Sequence, residues 1–186
     1  MPRRNLFFSY HHRSCYQYLK QLRQLLADPN IYDYGFKEED LSEKSKYRIS
    51  KKIQYRIWSS SVTVVLVGDE TASSLWVDWE VWYSLQKFSG NKVKRRSFKP
   101  KGLLVIYLPV VKHTMPARLL ENIESGYAVE IDWSEIPGSF YKKVEEAYNN
   151  RAKSHLIKNE IEPNINPRKF LFIHFLKEKV SGWLNK

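Results

Sequence analysis

Glu80 stands four residues after Trp76, a spacing that sets a carboxylate and an indole on one face of a helix. Three other groups of side chains could share a pocket with them. Ser9, Tyr10, His11 and His12 follow one short apolar run, Gly68, Asp69 and Glu70 follow another, and Phe36 and Lys37 close a third. If those runs are neighbouring strands of a parallel sheet, their carboxyl ends form one edge. That edge would bring together a carboxylate, indole rings, hydroxyls and basic side chains. Competing chemistries have weaker support. Neither standard phosphate-binding glycine loop is present, which argues against a nucleoside triphosphatase or a Rossmann dehydrogenase. His11 and His12 are adjacent on a strand exit, where side chains diverge, and no third metal ligand is placed beside them. No serine sits in an elbow motif, and Cys15, the single cysteine, reads as a packing residue in the opening turn of a helix.

The elements that must hold these residues can be read from periodicity. Asn5–Tyr10 is a short, aromatic, buried first strand, and Tyr16, Leu19, Leu22, Leu25 and Leu26 mark an amphipathic helix closed by Asp28-Pro29-Asn30. Ile31–Phe36 reads as a second strand, followed by the charged loop Lys37–Lys46. Ile49, Ile53 and Ile57 mark a second helix, and the β-branched run Val62–Val67 is the clearest strand in the chain. Thr71–Ser74 then caps a helix carrying Trp76, Trp79, Trp82, Tyr83 and Leu85. Beyond it come a fourth strand at Leu103–Leu108 and a short helix over Pro116–Ile123. An alternating, edge-like fifth strand at Tyr127–Trp133 and a helix at Ser139–Ala152 complete the set. Near-continuous apolar strands alternating with helices predict an α/β, flavodoxin-like fold: five mostly parallel strands in the order 2-1-3-4-5, with helices on both faces. In that order the ligand crevice opens between strands one and three, where chain direction switches.

The whole chain is consistent with one such domain. It has 186 residues, 42% of them apolar and 15% aromatic, enough for a real core and too apolar for disorder. The expected boundaries are 4–153 for the domain and 154–186 for an extension, in which Lys169–Leu184 patterns as an amphipathic helix packing back on the domain. One cysteine permits no intrachain disulfide. The basic start is followed only by Leu6-Phe7-Phe8, too short for a signal peptide, and no apolar run reaches the ~20 residues that span a bilayer. A cytoplasmic protein with no membrane contact is expected.

Charge is unevenly spread. Thirty-one Lys and Arg against 20 Asp and Glu leave +11, and the segment 87–101 holds seven basic residues with no acid. It reads as a flexible, solvated basic loop between ordered elements. Only Phe88 and Phe98 interleave with the charges, so a nucleic-acid stacking platform is not expected.

Three segments together resemble a known family. RNLFFSYHHR at 4–13, YGFKEED at 34–40 and above all SVTVVLVGDETASSLWVDWEV at 61–81 are similar to TIR domains, more narrowly to the TIR-like proteins of the bacterial Thoeris anti-phage system. The pattern Ser74-x-Trp76-Val77-x-x-Glu80 after the third strand is the most specific part, and the likeness spans about Arg4 to Trp133. The resemblance implies an NAD⁺ nucleosidase or ADP-ribosyl cyclase in which Glu80 is catalytic, with neither metal nor further cofactor. It implies a product that is a cyclic ADP-ribose isomer or related adduct, which activates a separate effector protein. It also implies a phage-derived trigger and head-to-tail self-association through 36–46.

The chemistry suits the residues. Nicotinamide leaves NAD⁺ neutral, so no general acid is needed, and one carboxylate can hold the ribose hydroxyls and face the oxocarbenium charge. Trp76 and Tyr10 would stack on a planar ring, Ser9 and His11 would bond ribose or phosphate, Lys37 or the basic loop would offset the diphosphate, and Phe36 would lie nearby. Alternatives are a non-catalytic TIR-like adaptor acting by assembly, an anionic-polymer binder using the net charge, and, more remotely, a nucleoside deoxyribosyltransferase of similar topology.

Overall fold

The computed structural model describes residues 4–26, 31–33, 46–87 and 98–164, with the backbone alone at 31–33 and 46–49. Its sheet has four strands of five to seven residues, β1 (Arg4–Tyr10), β3 (Val62–Val67), β4 (Gly102–Tyr107) and β5 (Ala128–Asp132), and a three-residue β2 (Ile31–Asp33). The order is β2-β1-β3-β4-β5 and every pairing is parallel. The predicted topology is therefore the observed one. The predicted edge position of the fifth strand is observed as well.

Alternation along each strand assigns the two faces. Leu6 and Phe8 of β1, Val62, Val64 and Leu66 of β3, Leu104 and Ile106 of β4, and Val129 and Ile131 of β5 share one core. Two helices cover it: α1 (His12–Leu25) through Cys15, Leu19 and Leu22, and α5 (Ile136–Asn150) through Phe140, Val144 and Ala147. The opposite faces of the same strands meet α2 (Lys46–Ser59), α3 (Leu75–Ser84) and α4 (Ala117–Glu124). There Val65, Val67, Leu103 and Val105 pack with Val77 and Val81 of α3 and Leu119 of α4. Phe7 packs with Ile53 and Ile57 of α2 and with Trp79 and Tyr83 of α3. Covered on both faces, β3 is buried at all six positions, which is why its sequence is almost wholly β-branched.

The first helix begins at His12, directly after the strand, with Cys15 in its opening turn as expected. The last described helix begins at Ile136, because Pro137 suits a first helical turn. The end of the predicted second strand, 34–36, lies outside the described residues, as does the predicted helix at 169–184. The expectation of a solvated basic loop needs correcting at its far end. Phe98 and Lys101 are buried, at 4% exposure each, and Phe98 joins the α2–α3 core; the rest of the segment, 88–97, lies outside the described residues.

Residues 154–164 run back along α3 and α4. Arg118 of α4 donates from Nε to Asp78 Oδ1 of α3 at 3.0 Å, from Nη1 to Asn159 Oδ1 at 2.8 Å and from Nη2 to the Ile161 carbonyl at 2.7 Å. Asn159 Nδ2 in turn donates to the Trp82 carbonyl at 3.1 Å. A strap thus ties α3 to α4. No helix among the described residues is long and apolar enough to cross a membrane.

Gly102 marks the tightest approach among the described glycines. A Cβ there would lie 2.1 Å from the Ala147 carbonyl oxygen, and backbone of α5 cannot move aside as a side chain can. Gly102→Ala is therefore expected to cost about 3 kcal/mol, the upper part of the usual overpacking range. The check is a fall in the urea midpoint at unchanged m-value.

Candidate functional site

Parallel packing brings a serine and a glutamate together inside the largely apolar interior. Ser9 alternates with Phe8 and so faces α3, in register with Val65 of β3. Glu80 occupies the middle of α3 and points back at it. The Ser9 hydroxyl donates to Glu80 Oε2 at 2.6 Å, with Ser9 fully buried and Glu80 only 8% exposed. Burial pushes the Glu80 carboxyl up to about 8, and the Ser9 hydrogen bond pulls weakly the other way. A carboxyl so perturbed, at the carboxyl end of the first strand, is a functional-site candidate on physical grounds.

The helix carrying Glu80 is fixed from several sides. Ser74 caps it, accepting from the Val77 amide at 3.3 Å. One turn after Glu80, the Ser84 hydroxyl donates to the Glu80 carbonyl at 2.7 Å. Its single proton being used there, Ser84 Oγ accepts from Thr63 Oγ1 of β3 at 2.8 Å. Trp79 stacks on Tyr83 at 5.5 Å, and Trp76 meets Trp79 edge to face at 5.8 Å. Trp76 is half-buried one turn before Glu80 and packs against the α2–α3 core.

The exits of β1 and β3 are also joined. His11 Nδ1 lies 2.8 Å from Ser14 Oγ and 3.4 Å from Glu70 Oε2. Beneath Glu70, the Gly68 amide donates to Thr71 Oγ1 at 2.8 Å, and Thr114 Oγ1 donates to the Asp69 carbonyl at 2.8 Å. The loop that leads into α3 is thus held by hydroxyls at both ends. Cys15 is buried, and its Sγ would lie 3.4 Å from a Cβ at position 68.

The residues singled out from sequence therefore divide. Ser9, Glu80 and Trp76 gather on the α3 face, with His11 at the rim. Tyr10 is carried to the other face, where it packs against the α1 core with its ring 5.9 Å from His12. Phe36 and Lys37 lie outside the described residues. Thr63, Ser84, Thr71 and Thr114 support the site and were not foreseen. Thr63 did carry a signal, being the one polar residue in VTVVLV and so in need of a buried partner; Thr114, more than forty residues from the loop it braces, carried none.

A carboxyl raised in the folded state gives a signed expectation. Between about pH 4.5 and 8 the native chain keeps a proton that the unfolded chain has lost, so stability falls as pH rises through that window. Glu80→Gln removes this dependence. Its stability relative to the parent chain should climb by more than about 1.4 kcal/mol between pH 5 and 8.5, read from paired urea titrations at each pH.

Residues 7–113 match the family model described as the TIR-like domain of the Thoeris protein ThsB, which covers more than half of the chain. Among solved structures, the chain is similar to one described as the activated Roq1 resistosome directly recognizing the pathogen effector XopQ (TIR domains). Identity is 17%, coverage 94% of this chain and 98% of that one, and the TM-score 0.43. It is also similar to FerB, a flavoenzyme NAD(P)H:(acceptor) oxidoreductase from Paracoccus denitrificans, at 11% identity, covering 81% and 98% of the two chains with a TM-score of 0.41.

Proposed function

The chain belongs to the family of Thoeris ThsB TIR-like domains, and from that premise we infer that it is an NAD⁺-cleaving enzyme of anti-phage defence. The observation that carries this reading is the buried Glu80 carboxyl, held by Ser9 at 2.6 Å with an indole one turn away.

Cleavage breaks the bond between the ribose anomeric carbon and the nicotinamide nitrogen. The bonding pair leaves with nicotinamide, which departs neutral, and the positive charge passes to the ribose as an oxocarbenium-like centre. Ionised Glu80 faces that charge in a water-poor setting, where a carboxylate is worth far more than in bulk solvent. The Ser9 hydroxyl fixes its orientation. Trp76 stacks on a planar ring of the substrate, and His11, Phe36 and Lys37 complete our proposed substrate set at the sheet edge; Tyr10, expected there from sequence, faces the α1 core and is left out of it. No metal or further cofactor enters this scheme. In the free protein burial holds the Glu80 carboxyl up at about 8; a bound pyridinium, itself cationic, favours the ionised form.

The product in this scheme is an ADP-ribose-derived nucleotide. It is cyclic if water is excluded and the adenine end folds back on the anomeric carbon. Such a nucleotide would signal to a separate effector protein. A phage-derived trigger and self-association of the chain are the expected controls on turnover.

Two outcomes follow. Glu80→Gln should lower nicotinamide release by about 10³-fold, since it removes the carboxylate proposed to face the developing charge; Ser9→Ala should lower it by about tenfold with little change in KM. Chromatography with mass detection of the products, in buffer and in infected-cell extract, reads both. If parent and Glu80→Gln chains are equally silent in infected extract, the chain is an assembly module instead. For an active chain, kcat/KM should rise about tenfold per pH unit below 8 and level off above it, because the free enzyme must lose the Glu80 proton.

A further inference from the structure

The opposite end of the sheet holds a second concentration of charge that the Glu80 site leaves unused. A cleft of about 340 Å³ opens where β1, β3 and β4 begin, with Arg4, Trp58, Phe98, Lys101, Tyr148 and Arg151 in its wall and Lys99 at its mouth. Arg4 and Ser9 are five residues apart on β1, so about 16 Å separates this cleft from the carboxyl end.

The cations here are not equivalent. Arg4 is answered by Glu145, its Nε and Nη2 donating at 2.6 and 2.8 Å. Lys101 and Arg151 are not. Lys101 is buried at 4% exposure, yet its Nζ donates only to the Trp58 carbonyl at 3.1 Å and otherwise rests 4.4 Å from the centre of the Phe98 ring. Arg151 spends its Nε on the Pro100 carbonyl at 3.0 Å and lies 4.9 Å from the Tyr148 ring, which leaves its two terminal nitrogens without an acceptor among the described residues. Burial and then the nearby Arg151 charge bring the Lys101 ammonium down to about 8. Two cations held close together, one of them buried and neither paired with a carboxylate among the described residues, are an unfavourable arrangement that a bound anion would relieve. Beside them Trp58 leaves 45% of its surface exposed, offering a flat apolar face.

We propose that this cleft is a binding site for a phosphate-bearing small molecule of the nucleotide class, its phosphate held by Lys101, Arg151 and Lys99 and its base laid against Trp58. The volume lies at the lower end of the range for small-molecule pockets, which suits a mononucleotide better than a dinucleotide. Arg151 presents a planar fork that matches phosphate oxygens, and Lys101 adds a point charge from the floor. The site is separate from the one assigned to NAD⁺ cleavage, and its occupancy does not depend on that reading.

The test is isothermal titration of the full chain carrying Glu80→Gln, with AMP and with inorganic phosphate, at fixed ionic strength. One saturable site is expected, tighter for AMP than for phosphate. Arg151→Gln and Lys101→Met should each weaken it about tenfold, the worth of one charge-assisted hydrogen bond, and Trp58→Ala should erase the preference for AMP. Arg151 is only half-buried, so its variant reports binding even if Lys101→Met fails to fold. Absence of saturable heat overturns the proposal, as does affinity unchanged by Arg151→Gln and Lys99→Gln. Loss of AMP binding on Trp76→Ala instead would move the ligand to the carboxyl-end site. A single-stranded RNA that binds more tightly than AMP and loses affinity steeply with salt would assign the cleft to nucleic acid.

Discussion

A carboxyl group sits inside this protein where a leucine would pack, and much of the surrounding structure follows from holding it there. Taking an ionised carboxylate from water into such a setting is costly, so the group keeps its proton and accepts a short hydrogen bond from Ser9. Neither partner would be stable there alone. Ser9 is fully buried on a strand whose neighbours are Phe8 and Phe7, and without Glu80 its hydroxyl would lose the one bond that repays its desolvation. The sheet enforces the meeting, because the alternation that sends Phe7 into the α2–α3 core sends Ser9 to the same side.

Holding Glu80 also explains why α3 is a poor surface helix. Six of its ten residues are buried, covering more than half of its circumference. Such a helix must have neighbours on several sides. The sheet supplies one, α2 another through Ile53 and Ile57, and α4 a third. The strap at 154–164 closes the arrangement: Arg118 reaches from α4 to Asp78 on α3 and to the strap itself, and Asn159 bonds the Trp82 carbonyl. A carboxyl that must be oriented to a fraction of an ångström is thereby mounted on a helix braced from the sheet, from α2 and from α4.

How much of this was legible from sequence differs by kind of information. Buried parallel strands announce themselves, and Val62–Val67 was readable to the residue because both faces demand apolar, β-branched side chains. The Trp76–Glu80 spacing was readable because helical geometry fixes it. Tyr10 shows the limit. Adjacent strand residues point to opposite faces, so Ser9 and Tyr10 could not both meet α3, yet a list of residues at a strand exit hides that division. Lys101 shows a second limit. A run of basic residues reads as solvated surface, and nothing in the local sequence says that the run ends in a buried strand start, where Phe98 and Lys101 turn inward. Long-range partners such as Thr114 and Asn159 leave no trace in a local pattern at all.

The two ends of the sheet are chemically opposite, and the topology makes them so. At the carboxyl end a buried acid has its charge suppressed by burial, ready to be drawn out by a cationic partner. At the amino end a buried base has its charge weakened by burial and by a second cation, and an anionic partner would restore it. Both perturbed groups adjoin the central strands, Glu80 through its bond to Ser9 of β1 and Lys101 one residue before β4. A ligand at either end therefore acts on a group whose protonation is poised and whose backbone is fixed. Glu80 reaches β3 through Ser84 and Thr63, and the segment bearing Lys101 joins the same region, its amide donating to the Ser84 carbonyl at 2.8 Å. Ser84 is thus a physical bridge between the two ends, bonded through its hydroxyl to the helix turn that carries the acid and through its carbonyl to the residue that carries the base.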